Sequence, residues 1–497
     1  PKDHKPNPKP FSHPMFVPAS RARSSTRGEP RNPPPRVTAS SCITIAVMLG
    51  LAYMGITHSY DDSLWCTDMN SVPRDTSIYT NVAKATLTTP RMRSYNTTSL
   101  RVPTWDINTI RNLSRDTSKP RYTAGILSSG GCCDTIAATL SGFRVSWGSE
   151  INEYQRAMFE HLTGAPSLGN TFDIDFQEEH HPDYISSGQD CTEYSSSGPK
   201  TGGEGDTGWQ FTRQTDIINT LQPYAFKLEM VANALKVNKG AEVRKVVNSL
   251  VGLYNIKKAI IQVESHGDPS NRTRLFIVGI HKRLGDRSAT FEFPKGAKGT
   301  APHARELAEL DEVVPQSHWV SYGDWSREHK SLVLRTKDAI RNVVGRLVKI
   351  GQLGEGMGHS SMPHAVARWD SIFNTQTTYN GGGMRPPLSY SYGDPIHSLR
   401  KTTPLEACRI ASLDDSYLSY ARSFNDSDSF VYQCTNAGIP ILTCSAIDRA
   451  VLSHLHHCDA PRRSRKELAT LRDNFAKDRA RRVKSRYDFV ATMSAHE

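Results

Sequence analysis

Residues 121–151 read RYTAGILSSGGCCDTIAATLSGFRVSWGSEI. An apolar run at Tyr122–Leu127 enters a Ser-Ser-Gly-Gly turn. A helical run follows at Thr135–Leu140 and stops at Gly142, and a second strand-like run, FRVSWGS, closes on Glu150. Strand, tight turn, helix and strand in that order begin a parallel sheet wrapped by helices. The alternation continues downstream. Asn152 is placed to cap a helix through Tyr154–Leu162, and a short strand is expected at Tyr184–Ser187. A glycine-rich loop to Gly208, a helix at Phe211–Leu221, and strands at Ala225–Val231, Ala259–Val263 and Arg274–Ile280 come next. The expected fold is therefore α/β, a mostly parallel sheet flanked by helices. In such sheets ligands lie beyond the carboxyl ends of the strands, so the residues just past each strand are the candidates for function.

Cys191 follows the Tyr184–Ser187 strand in GQDCTEYSSSG, residues 188–198. Buried core cysteines have apolar neighbours; this one sits among Gly, Ser and acids, which makes it a candidate nucleophile. The next strand ends in KLEMV, and Glu229 there is a carboxylate in apolar surroundings, costly without a partner or a task. A thiol beside a carboxylic acid suits attack on an electron-poor ring with proton donation to it; a salt-bridged structural glutamate is the plainer alternative. In SNRTRLFIVG, residues 270–279, Arg272 and Arg274 alternate and so share a face, where they could hold a carbonyl oxygen and a phosphate or simply lie on the surface. Upstream, the turn containing Ser129 and Gly130 would let backbone approach a cofactor. Glu150, next to Ile151, could accept ribose hydroxyls, and Asp173, next to Ile174 in NTFDID, could accept from an adenine amine.

The chain of 497 residues carries a formal charge of +11, which points to a polyanionic partner, nucleic acid foremost. Nine cysteines fall at 42, 66, 132, 133, 191, 408, 434, 444 and 458. The odd count, with no CxxC pair, fits neither a disulfide framework nor a zinc ribbon and suits a reducing compartment. HLHHC at 454–458 and EEHH at 178–181 lack partner pairs at ligand spacing, so no metal is expected. Four Asn-x-Ser/Thr triplets, at Asn96, Asn112, Asn271 and Asn425, carry weight only in a secreted chain. Residues 1–118 form an N-terminal extension expected to be largely disordered or accessory. Within it lies the apolar run 42–56, short against the roughly twenty residues of a membrane span; a membrane role is disfavoured there but left open. The remaining expected division is 119–280 catalytic and cofactor-binding, 281–395 a smaller loop-rich domain, 396–458 a return to the catalytic domain, and 459–497 a basic charged tail. That tail, helical or disordered, could be solvated, could bind phosphate, or could serve as a nuclear address; nuclear placement is expected for a eukaryotic chain and cytoplasmic otherwise.

In order along the chain, these features resemble the cytosine-5 DNA methyltransferase family. SSGGCCDTIAATLSGF is similar to its first motif, Glu150 to its ribose-binding acid, and Asp173 with Ile174 to its adenine-contacting pair. QDCTEYSSSG resembles the nucleophile loop, Glu229-Met230-Val231 the Glu-Asn-Val tripeptide, and Ser270, Arg272 and Arg274 the Gln-x-Arg-x-Arg motif. TTPLEA at Thr402–Ala407 resembles the Thr-Pro-Arg-Glu helix start. Thr435, Asn436, Ala437 and Pro440 resemble the closing Gly-Asn-Ala-Val-Pro, with one extra residue.

The resemblance implies a Rossmann-like domain dependent on S-adenosylmethionine, a target recognition domain at 281–395, and double-stranded DNA as partner of a monomer. It also implies chemistry on a flipped-out cytosine. Cys191 would add to ring carbon six, Glu229 would hold the ring nitrogen and amine, and Arg274 the ring carbonyl. Arg272 would support the nucleophile loop or a phosphate. Ser129, Gly130, Glu150, Ile151, Asp173, Ile174 and Asn436 would line the cofactor site. Departures are Asp190 for a proline beside the nucleophile, where an acid disfavours the thiolate, and Met230 for an asparagine that helps fix the loop. Ser270 stands for a glutamine, Cys132 and Cys133 for glycines, and Ser128 for an aromatic residue. They motivate the rival expectation of a weak or inactive DNA-binding relative. Two further alternatives are a tRNA cytosine-5 methyltransferase and a cysteine hydrolase.

Overall fold

The computed structural model describes residues 105–118, 121–176, 180–188, 190, 192–194, 201–202, 209–310, 313–320, 347–348, 364–367, 372–375, 388–390, 399–461, 467, 470–471 and 473–481. The apolar run 42–56, the nucleophile candidate Cys191 and most of the glycine-rich loop after it lie outside the described residues.

Helix α1, Ile107–Arg115, precedes strand β1, Thr123–Leu127. Then come α2 (Cys133–Leu140), β2 (Arg144–Gly148), α3 (Glu153–Thr163), β3 (Tyr184–Gly188), α4 (Trp209–Leu221), β4 (Ala225–Val231) and α5 (Ala241–Leu250). Strands β5 (Tyr254–Gln262), β6 (Ser270–Asn271) and β7 (Thr273–His281) follow. The main sheet has the order β2-β1-β3-β4-β7-β5. Its first four strands run parallel, while β7 is antiparallel to both β4 and β5. The sheet is therefore mostly rather than wholly parallel, because the segment between β5 and β7 is too short for the dozen or more residues of a parallel crossover.

Alternate side chains along the strands feed two cores, as the pleat requires. Ala124, Ile126, Tyr184 and Ala225 join one cluster with α2, α3 and the C-terminal helices. Leu127, Ile185, Phe226 and Leu228 join the other with α4 and α5. Every residue of β4 is buried, as expected of a central strand covered on both faces. Asn152 caps α3 as anticipated, its side-chain oxygen accepting from Tyr154 N and Gln155 N.

Some elements differ from expectation. Helix α1 lies in the stretch expected to be disordered or accessory, yet Ile107 and Ile110 are buried in the first core. Helix α5 was not anticipated, although Val243, Val246 and Leu250 carry its helical spacing and are buried. Strand β5 starts five residues earlier than expected. Its pattern is broken by Lys257 and Lys258, which suit an edge strand paired only with β7.

Beyond β7, strands β8 (Trp319–Val320), β9 (Leu347–Val348), β10 (His364–Ala367), β12 (Leu388–Tyr390) and β13 (Leu399–Lys401) form a second sheet in the order β8-β13-β12-β10-β9. Strand β11, Phe373–Asn374, pairs with β6 and so ties this region to the main sheet's loops. The chain returns as α6 (Pro404–Ile410), α7 (Ser416–Arg422), α8 (Asp428–Asn436) and α9 (Ile441–His457). The TTPLEA start of α6 is a capping box: Thr403 Oγ1 accepts from Glu406 N, and Glu406 Oε2 accepts from Thr403 N. At the start of α9, the buried Asp268 carboxylate accepts from Leu442 N, Thr443 N and the Thr443 hydroxyl. It thereby fixes α9 against the loop between β5 and β7. Among the described residues, no helix is long and apolar enough to cross a membrane, and no group of three His, Cys, Asp or Glu is placed to hold a metal.

The C-terminal stretch also differs from a solvated charged tail. Residues 473–481 are helical, and Leu471 and Phe475 are buried in the second core. Their basic neighbours are paired: Arg479 with Asp175 and Arg481 with Asp216.

Candidate active site

The turn after β1 and the end of β2 meet at one carboxylate. Gly130 N donates to Glu150 Oε2 at 2.8 Å, and Ile151 N and Asn152 N donate to Oε1 at 2.8 and 2.9 Å. Three backbone N–H groups thus hold Glu150 in one orientation. Both acceptor positions of Oε1 are filled, and one is left on Oε2. Ser129 Oγ in the same turn, Ser187 Oγ on β3 and Asn436 Nδ2 at the end of α8 are buried without a hydrogen-bond partner among the described residues. Native proteins rarely leave buried polar atoms unsatisfied, so this corner has the character of a ligand site. Ile151 is 76% exposed, whereas Ile174 is only 3% exposed and belongs to the second core. Asp173 beside it faces solvent. The expected adenine pair therefore splits into an exposed acid and a buried anchor.

The departures in the first motif have local consequences. Cys132 adopts φ 67°, and Ser128 φ 55°. The left-handed region explains why glycine serves best at the first of these positions. Cys133 presses its sulfur toward the closing motif, where a Cβ on Gly438 would lie 2.5 Å from Cys133 Sγ. The added bulk at 133 is accommodated by the absence of a side chain at 438, within the segment that carries the extra residue.

The second half of the site lies where β3 and β4 end and the antiparallel β7 begins. Gly188 pairs in register with Glu229, and Val231 with Arg274. Glu229, 4% exposed, has Arg274 Nε 2.9 Å and Arg272 Nη2 3.7 Å from its Oε1. All three strand-end residues expected to act together are thus assembled. A small cleft opens beside Arg272, lined also by Asp268, Ser270, Thr435, Gly438 and Ile439.

Cys191 lies outside the described residues, but both flanks of its loop are fixed. On one side a Cβ at Gly188 would lie 3.8 Å from Glu229 Oε2 and would collide with Ile439, so only glycine lets the chain pass there. On the other side Tyr194 is buried in the second core, edge-on to Phe211, and its carbonyl accepts from Asn233 Nδ2 at 2.8 Å. Met230, standing where an asparagine was expected to fix the loop, is buried in the second core; Asn233 supplies that anchoring from three residues further on. Asp190 Oδ1 accepts from Thr192 N at 2.8 Å. That bond ties together the two residues on either side of position 191.

The described cysteines are buried thiols. Burial pushes Cys133 and Cys434 up to about 12, and such groups are poor nucleophiles. Several contributors were not picked out from sequence, among them Gly188, Asn233 and Ile439. A glycine closing a strand was the only visible signal for the first, and the other two act through contacts made only on folding.

A doubly wound sheet with these strand ends is the layout of an α/β protein that has a nucleoside-type corner beside a second polar pocket. Residues 128–453 match the model of the C-5 cytosine-specific DNA methylase family, and the chain belongs to that family. It is 25% identical over 349 residues to the Type II methyltransferase M.HpaII of Haemophilus parainfluenzae, across 64% of this chain and 88% of that relative. It is 23% identical over 316 residues to M1.ScrFI of Lactococcus lactis subsp. cremoris, across 62% of this chain and 72% of the relative. Among solved structures, the S. pombe Dnmt2 methyltransferase aligns with a TM-score of 0.46 and 13% identity, over 68% of this chain and 99% of that one.

Proposed function

We propose that this chain methylates carbon five of cytosine in double-stranded DNA, acting as a monomer with Cys191 as nucleophile and S-adenosylmethionine as methyl donor. The observation that carries this is the convergence of Glu229, Arg274 and the glycine that opens the Cys191 loop at a single sheet edge.

The residues at the neighbouring corner suit the donor. Glu150 Oε2 keeps one acceptor position for a ribose hydroxyl, Asp173 is exposed to receive an adenine amine, and the exposed face of Ile151 offers an apolar wall. Ser129 Oγ and Asn436 Nδ2 are buried polar atoms in want of partners. When bound, S-adenosylmethionine supplies an electrophilic methyl on a sulfonium.

The chain's own residues do the rest. A base working surface this enclosed requires the cytosine out of the stack. The Cys191 thiolate adds to carbon six, and the electron pair of the five–six double bond moves onto the ring. Glu229 bonds the ring nitrogen and exocyclic amine, and Arg274 the ring carbonyl, so that developing charge meets preset partners. After methylation a base takes the proton from carbon five, that bonding pair restores the five–six double bond, and the thiolate leaves from carbon six. Arg272 holds the loop or a phosphate. The region from 281 to 395 supplies phosphate contacts and base readout, consistent with the chain's positive charge.

DNA carrying 5-fluorocytosine tests this, because fluorine at carbon five blocks the final elimination. A covalent protein–DNA adduct that requires S-adenosylmethionine is expected, together with its disappearance in Cys191→Ala. Methyl transfer should fall on the order of 10³-fold or more in that variant. No adduct with any DNA duplex, or adduct only with tRNA, would overturn the proposal.

A further inference from the structure

The loop that carries Asp173 runs from Gly164 to Phe176 without regular secondary structure in its described part. What fixes it comes from the far end of the chain. Arg213 on α4 donates through Nη1 and Nη2 to both carboxylate oxygens of Asp478, at 2.5 and 3.2 Å, and through Nε to the Thr171 carbonyl at 3.2 Å. The side chains of Arg213 and Asp478 are only 5% and 3% exposed. Thr171 Oγ1 lies 3.0 Å from Ser149 Oγ, which in turn accepts from Ser128 N at 3.1 Å. An unbroken polar chain thus connects Asp478 to the residue before Glu150 and to the glycine turn. Two more contacts grip the same loop. Arg479 forms a bidentate pair with Asp175, and the Phe475 ring stacks on Phe176 at 6.5 Å.

We propose that the helix at 473–481 is a positioning element for the adenosine end of the cofactor site, acting through Arg213 on the loop that presents Asp173. This rests on Glu150 and Asp173 being that site. Burying an ion pair is a poor way to gain stability, whereas a bidentate guanidinium with a third donor left over fixes a backbone carbonyl in direction as well as distance. Asp478 holds two arms of Arg213, and the remaining one sets Thr171. Asp175 and Phe176, held by the same helix, flank the segment on its other side.

The test uses the full chain and titrates S-adenosylmethionine by calorimetry, with hydrogen exchange of the peptide spanning 168–176 as a second readout. Asp478→Asn is expected to weaken binding about tenfold and Arg479→Ala about threefold, the scale of charge-assisted hydrogen bonds. Exchange of the loop should accelerate. At saturating S-adenosylmethionine, kcat and the KM for DNA should stay within about twofold of native. The double swap Arg213→Asp with Asp478→Arg separates positioning from folding. It restores the ion pair and thermal stability, but Asp at 213 has no donor for Thr171, so affinity should remain low. Native affinity in both single variants overturns the inference, as does a swap that regains affinity along with stability. Should Asp478→Asn fail to fold, Arg479→Ala decides, its ion pair being half-exposed. If the unaltered chain does not bind S-adenosylmethionine, the assignment of the site itself falls, and this inference with it.

Discussion

Strand β4 carries two charged side chains, Lys227 and Glu229, two residues apart and therefore on one face. Both are buried, at 0% and 4% exposure, yet their surroundings differ in kind. Lys227 Nζ donates to Asp134 on α2 and Asp448 on α9, at 3.1 and 2.8 Å. Ser186 also donates to Asp134, and Tyr184 to Asp448. Burial alone would pull Lys227 down, but the two carboxylates raise it well above the ordinary lysine value, so it stays charged. Burial pushes Asp448 up to about 6 despite the pull of Lys227. This cluster joins two helices and two strands and is closed to solvent. Glu229, one pleat further along, has two guanidinium groups near one oxygen, which has no hydrogen-bond partner among the described residues. Its other oxygen faces the glycine that opens the nucleophile loop. Each centre keeps one buried oxygen without a hydrogen bond among the described residues, Asp448 Oδ2 in the first and Glu229 Oε1 in the second, so the two divide by what lies beside them: the first is enclosed by two helices and the sheet, and the second adjoins the glycine that opens the nucleophile loop.

That contrast can be broken in graded ways. The largest effect is expected from Lys227→Met, which leaves two buried carboxylates without their cation. Denaturant unfolding should show a loss of about 3–5 kcal/mol, and normal stability with lost activity would instead move Lys227 into the site. Glu229→Gln should do the reverse. Its kcat should drop by about 10²–10³-fold, with a smaller stability loss than Lys227→Met, because the neutral amide keeps an oxygen beside Arg274 and strands no buried carboxylate. An unaltered kcat would place Glu229 with the structural charges. Smallest is the steric joint between the two motifs. Gly438→Ala should cost about 1–3 kcal/mol by overpacking against Cys133. In a Cys133→Gly background that penalty should shrink by at least about 0.5 kcal/mol; full additivity in the double-mutant cycle would mean the two residues do not share the space.

Much of the site was legible one residue at a time. Glu150, Glu229, Arg272 and Arg274 stood at strand ends, and strand ends were readable from period-two apolar runs. Lys227 was equally visible in KLEMV, but sequence offers no way to tell a buried lysine with two partners from one with none. Its partners lie 93 and 221 positions away. The departures at 190 and 230 looked damaging because only the replaced residue was in view. Asp190 turns onto Thr192, and Asn233 reaches Tyr194, so other atoms supply the constraints. The basic stretch near the C-terminus had the composition of a solvated tail. Its described part is docked, since Leu471, Phe475 and Asp478 face inward while the arginines meet acids on α4 and the loop after α3.

The sequence by itself determined the alternation of strands and helices from β1 to β4, the caps at Asn152 and Thr403, and which residues arrive at strand ends, because these follow from local periodicity and short-range hydrogen bonding. Only the tertiary structure decided the reversed strand β7, the pairing of Cys133 with Gly438, and the contrast between Lys227 and Glu229. It also decided the docking of 473–481 on Arg213. Each of these depends on atoms brought within a few ångströms across long stretches of chain, where packing and desolvation, rather than local preference, select the partner.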